Sequence, residues 1–125
     1  VKAVKTGDRI VKNIFEAPFE SYDAAEGDYE GASILQLDGR RPVGTGFHAF
    51  KMAPGSKSTP HEHTSDEMFY VLEGELIDND GARYRRGDMV MLKAGTQHWS
   101  YTPTGCTLLI YIETAETNFD GEIDD

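Results

Sequence analysis

Apolar residues in this chain come in short stretches, broken at intervals of roughly 8 to 12 residues by glycine and proline. No segment keeps a helical apolar period for more than about two turns, so the pattern predicts an all-β chain. Residues 1–12, where Lys2, Lys5, Arg9 and Lys12 alternate with valines and Ile10, read as an edge strand. Residues 13–38 carry Glu16, Glu20, Asp23, Glu26, Asp28, Glu30 and Asp38 without a base and read as a solvated lead-in, with a short strand over 34–37 closed by the turn pair Asp38-Gly39. A longer strand is expected over 43–52, ending at Pro54-Gly55. Asp80-Gly81, set between Leu76-Ile77 and Tyr84, is the strongest hairpin signal. A last strand follows over 107–112. Beyond it Glu113, Glu116, Asp120, Glu122, Asp124 and Asp125 form a run without a base, expected to be a mobile tail through like-charge repulsion. About eight short strands left as an open sheet would expose their edges, so closure into a barrel or two-sheet jelly roll is the economical architecture. The expected division is a lead-in over 1–42, a barrel core over 43–112 and the tail over 113–125.

Composition narrows the partners. A chain of 125 residues, 38% apolar and 27% charged, suits one domain. A formal charge of -10 repels phosphate backbones and anionic headgroups, so neither nucleic acid nor membrane is expected and a small molecule is. No apolar run approaches the roughly 20 residues a bilayer span needs. The only cysteine, Cys106, has no internal partner and lies in a leucine-rich strand, which makes it a core residue and the cytoplasm the expected compartment. The chain opens at Val1, as a processed product or one domain of a longer protein would.

Candidate chemistry rests on the histidines. Side chains at i and i+2 of a strand share a face with Cα atoms about 6.8 Å apart, so His61 and His63 can point at one ion. On a straight strand Glu67 would lie about 13 Å beyond His63, too far to join them. A turn through Thr64, Ser65 and Asp66 brings it back, while Asp66 and Glu62 themselves read as solvated surface. His98, after the turn residues Ala94 to Gln97, can enter from a second hairpin.

Gly55, His61, His63, Glu67 and Gly74 reproduce the spacing of the first cupin motif, and Gly87, Lys93, Gly95 and His98 resemble the second. Cupins usually have proline where Lys93 stands and asparagine where Thr102 stands; neither position is a ligand. The resemblance covers residues 43–112 and lies nearest the branch shared by ChrR-type anti-sigma-factor cupins and small-diketone-cleaving dioxygenases. It implies a double-stranded β-helix, a homodimer, and a divalent metal ion held by His61, His63, Glu67 and His98 in the barrel mouth. Such a donor set accepts iron(II), zinc, nickel, manganese, cobalt or copper. Iron(II) is the ion expected for dioxygenase chemistry.

Strand parity then supplies the lumen. Phe69 and Val71 share the face of Glu67, and Ser100 that of His98, whereas Tyr70, Trp99 and Tyr101 face outward. On the strand of Lys51 the opposite parity, His48, Phe50 and Met52, turns inward. His48 is therefore the candidate catalytic group for proton exchange with substrate, and Phe50, Met52, Phe69, Val71 and Ser100 the candidate substrate lining. The apolar residues Val1, Val4, Ile10 and Val11, with the outward aromatics, are expected to bury in a symmetric dimer or under a covering strand. The leading function is a metal-dependent dioxygenase acting on a small dicarbonyl, enol or hydroxyketone; a zinc-bearing ChrR-like sensor and a redox-neutral lyase or isomerase are the alternatives. In the sensor family a histidine and two cysteines bind zinc in the sigma-binding domain, so with one cysteine a regulatory role needs a further segment.

Overall fold

The computed structural model describes residues 1–22 and 31–119, among which there is no helix. Eleven strands are formed: β1 (Glu20–Ser21), β2 (Ala32–Gln36), β3 (Gly46–Met52), β4 (His61–Glu62), β5 (Glu67–Asp78), β6 (Arg83–Arg85), β7 (Met89–Leu92), β8 (Gln97–His98), β9 (Ser100–Tyr101), β10 (Cys106–Ile112) and β11 (Thr117–Asn118). The larger sheet runs β1-β2-β3-β10-β5-β6, with β7 and β9 also pairing β5, and a smaller one runs β11-β4-β8. The chain is thus an all-β jelly-roll barrel, a double-stranded β-helix.

β5 organises both halves. Its first residues pair with β7 and β10, its last with β6 and β9, and the exchange happens around Gly74. There φ is +80°, and an added Cβ would sit 1.9 Å from the carbonyl oxygen of Gly105, so the crossing tolerates no side chain. The β10 register shifts beside this point, between Thr107 and Leu108. The expected Asp80-Gly81 hairpin forms, pairing Leu76 with Tyr84. Inside lies a core of Met52, Phe69, Val71, Leu76, Cys106, Leu108, Ile110 and Ile112.

Three expectations are corrected. Residues 1–12 form no strand: Val1, Val4, Ile10 and Val11 stay exposed. Within that arm Lys12 is tied to the sheet, donating through Nζ to the Gln36 carbonyl at 2.6 Å; the edge strand among the described residues is β1. The strand expected from Val43 starts at Gly46, because Pro42 to Thr45 closes a turn (Thr45 N to Pro42 O, 3.0 Å). The tail does not begin at 113. Arg41 neutralises Glu113, Thr64 Oγ1 donates to Ala115 O at 2.7 Å, and β11 adds to β4 (Thr117 opposite Glu62, Asn118 opposite His61), so local partners offset repulsion. The acidic positions 23–30 and 120–125 lie outside the described residues.

Candidate metal centre

His61 and His98 are direct cross-strand neighbours of β4 and β8. His63 follows β4 and is fixed by two backbone bonds to the turn before β8: its N–H donates to Thr96 O at 3.0 Å and its carbonyl accepts from Gly95 N at 2.7 Å. That turn closes without the proline usual at position 93, since Thr96 N and Thr96 Oγ1 both donate to Lys93 O. The three rings are buried, with centroids 4.6 to 5.0 Å apart, and one ring nitrogen from each lies within 4.8 Å of the others. Glu67, at the start of β5, comes from the other sheet and puts Oε1 3.5 Å from His63 Nε2.

The surroundings fix which nitrogens carry lone pairs. The Thr59 carbonyl can only accept, so His61 Nδ1 donates to it (2.8 Å) and Nε2 is bare. Thr96 Oγ1 has given its proton to Lys93 O, so it accepts from His63 Nδ1 (3.0 Å). Nε2 of His63 is then bare, buried and without a hydrogen-bond partner. His98 Nδ1 stands 3.1 Å from Asp78 Oδ1, off the line of a hydrogen bond. Asp78 is itself held by Ser100 Oγ (2.5 Å) and Tyr84 OH (2.6 Å). Burial would raise the Asp78 carboxyl, but the His98 ring foremost, then Ser100 and Tyr84, outweigh it and hold it below the usual range.

Burial lowers His61 and, with the neighbouring rings of His98 and His61, takes His63 down to about 4. Burial foremost, then the carboxylates of Glu116 and Asp78, pushes Glu67 up to about 8. Unprotonated imidazoles facing carboxylates in a dry pocket are costly by themselves and suited to a cation. The orphaned His63 Nε2 and the borderline nitrogen and oxygen donors fit a divalent first-row ion.

The donors do not form one four-residue cluster. His61, His63 and His98 make one group; His63 and Glu67 make another with Glu116, a residue assigned from sequence to the tail. Glu116 Oε2 lies 3.3 Å from His61 Nε2. His48 is buried with Nδ1 donating to Gly46 O at 3.0 Å and belongs to neither group, but it lines the same cavity of about 80 Å³. Burial lowers its pKa. Phe50, Met52, Phe69 and Ser100 line the cavity as expected. Val71 does not: it is fully enclosed in the core, opposite Leu108. Asp66 and Glu62 are not merely solvated, for Asp66 Oδ1 accepts from Ala94 N and Glu62 Oε1 from Gln97 Nε2, tying the two ligand-bearing turns together. Asp78 and Tyr84 were not foreseen from sequence, which offered no sign that a strand end would support a ring two hairpins away.

A model of the ChrR cupin-like domain matches residues 20–116. Over 68 residues the chain is 32% identical to auxin-binding protein T85 of Nicotiana tabacum, spanning 54% of this chain and about a third (35%) of that relative's length. An acetylacetone dioxygenase from Acinetobacter johnsonii is similar in structure, with a TM-score of 0.73 at 14% identity over 96% of this chain and 83% of that one. The anti-sigma factor ChrR, in complex with SigE of Rhodobacter sphaeroides, gives 0.57 at 18% identity over 85% of this chain and 51% of that one. At these identities the structural likenesses concern the fold.

Proposed function

Because the chain belongs to the ChrR cupin-like domain family, we propose that it is a metal-dependent enzyme acting on a small oxygenated molecule, with dioxygenase cleavage of a dicarbonyl, enol or hydroxyketone as its chemistry. The observation that carries this reading is the triad of buried rings, one nitrogen of each within 4.8 Å of the others, at the wall of a largely apolar cavity. His61, His63 and His98 would hold the ion together with Glu67. When bound, iron(II) supplies Lewis acidity toward a chelating dicarbonyl and a site for O2 beside it. Both atoms of O2 enter the two fragments as a carbon-carbon bond breaks, so no external reductant is needed.

The chain's own residues would do the rest. Thr59 and Thr96 hold the rings of His61 and His63 by their Nδ1 atoms, and the Asp78 carboxylate stands beside that of His98 at 3.1 Å. Phe50, Met52 and Phe69 exclude water and set the size of the substrate at a few heavy atoms. His48, facing the same space, would exchange a proton with the enolisable carbon or its oxygen. A second reading, a ChrR-like sensor, is favoured by the family model itself and by the half of ChrR this chain covers. Metal analysis of protein purified without a metal-affinity tag, with an oxygen-uptake screen over small diketones, separates the two. Stoichiometric metal with uptake supports the enzyme, and stoichiometric metal without turnover of any diketone supports the sensor.

A further inference from the structure

The strap from Glu113 to Phe119 runs along β4 with Glu116 lining the histidine pocket, and it is tied down at both ends. Thr114 N donates to Ser65 Oγ at 3.1 Å, Thr64 Oγ1 donates to Ala115 O, and Phe119 N donates to Pro60 O at 3.1 Å. Between these anchors the Glu116 side chain, 21% exposed, turns in toward the rings while Glu113 turns out to Arg41. Its Oε2 faces Nε2 of His61 across 3.3 Å, and that nitrogen already carries a lone pair because the ring's proton is committed to Thr59. A lone-pair nitrogen and a carboxylate oxygen face one another there, and beside them His63 Nε2, without a hydrogen-bond partner, stands 3.5 Å from Glu67 Oε1. The donor atoms of His63, Glu67 and Glu116 lie within 4.8 Å of each other.

We propose that Glu116 is a ligand of the bound ion, delivered by the strap, so that the centre has two carboxylates rather than one. The inference rests on the metal-centre reading above. A divalent cation held among buried neutral imidazoles is stabilised by each carboxylate that faces it.

Cobalt(II) titration of the full chain, stripped of metal with a chelator, tests the assignment by affinity and visible absorption, without reference to activity. Glu116→Gln should weaken cobalt binding about tenfold or more and change the absorption bands, while Glu113→Gln, which removes the same charge from the outward face of the strap, should change neither. Glu116→His, exchanging one donor for another, should restore tight binding with a shifted spectrum even if the glutamine variant folds poorly. Glu116→Gln titrating like the wild type, with His98→Ala impaired, overturns the role of Glu116 and leaves the histidine centre standing. Equal losses in Glu113→Gln overturn it as a nonspecific charge effect. A wild-type chain that binds no cobalt overturns both the centre and this addition to it.

Discussion

The hydroxyl of Thr96 stands 3.0 Å from Nδ1 of His63, and its own proton is committed to the carbonyl of Lys93. One small side chain at a turn therefore decides which nitrogen of a buried ring is left bare for a cation.

Thr96→Val should accordingly weaken binding of zinc or cobalt by about 10- to 100-fold, with Thr96→Ser close to the wild type. Competition against a chromophoric chelator measures it. Equal affinity in the valine variant would mean that the two backbone bonds of His63 suffice to hold the ring.

His98→Ala should lower bound metal severalfold and reduce the Tm gained on adding metal, since binding only to the folded form adds to stability. Elemental analysis beside a melting curve reads both effects. Full occupancy in this variant would remove His98 from the centre.

His48→Ala should keep the ion and lose turnover, because His48 lines the cavity without joining either donor group. Loss of proton transfer would cost about 10² to 10⁴ in kcat, and loss of positioning would show mainly in KM. Oxygen uptake with a small diketone separates these, and unchanged kinetics would leave His48 as a packed ring.

Burial pushes the Cys106 thiol up to about 11, so the native protein should resist a disulfide reagent at pH 8 and react at once when unfolded. The sign follows from the raised value. The neutral thiol's contribution to stability is complete below its ordinary value of 9 and is lost as pH rises through about 11. Rapid labelling of folded protein at pH 8 would contradict the core placement.

Phe47, Met68, Tyr70, Met89 and Met91 are exposed, and they adjoin one another across β3, β10, β5 and β7, with Tyr70 opposite Met89 and Met68 opposite both Met91 and Tyr111. A continuous apolar sheet face of this kind suits a second copy of the chain. Sedimentation should find a dimer at micromolar concentration, and Met68→Glu with Met91→Glu should give a monomer. Of the other expected dimer residues, Trp99, under Lys57, and Tyr101 are half-buried within the chain, whereas Val1, Val4, Ile10 and Val11 are exposed.

What the sequence disclosed and what it withheld follow from range. His61, His63 and Glu67 are bound together by one short turn and His98 by another, so spacing alone could place them. Gly74 was legible for the same reason, as a fixed offset along one strand. Glu116 was not, because β11 is two residues long, sits in an acidic run, and forms only because Thr64, Ser65 and Pro60, about fifty residues earlier, offer it partners. Val71 shows the limit of parity: alternation told inside from outside correctly, yet could not tell the cavity wall from the packed layer beneath it. The N-terminal arm shows another, since alternation without an available ladder makes no strand.

The pairing of β3 with β10 joins Met52 to Cys106, and that of β4 with β11 joins His61 to Asn118. Both sides of the ring-bearing pocket thus wait on segments that follow the histidines along the chain. During translation the histidines emerge well before the strands that enclose them, and contacts of such long sequence separation form slowly. Metal capture should therefore follow the emergence of β10 and β11. In the interval the bare histidine pair would be open to whichever cation the cell supplies most freely, which makes the timing of closure, as much as the donor set, a determinant of the ion retained.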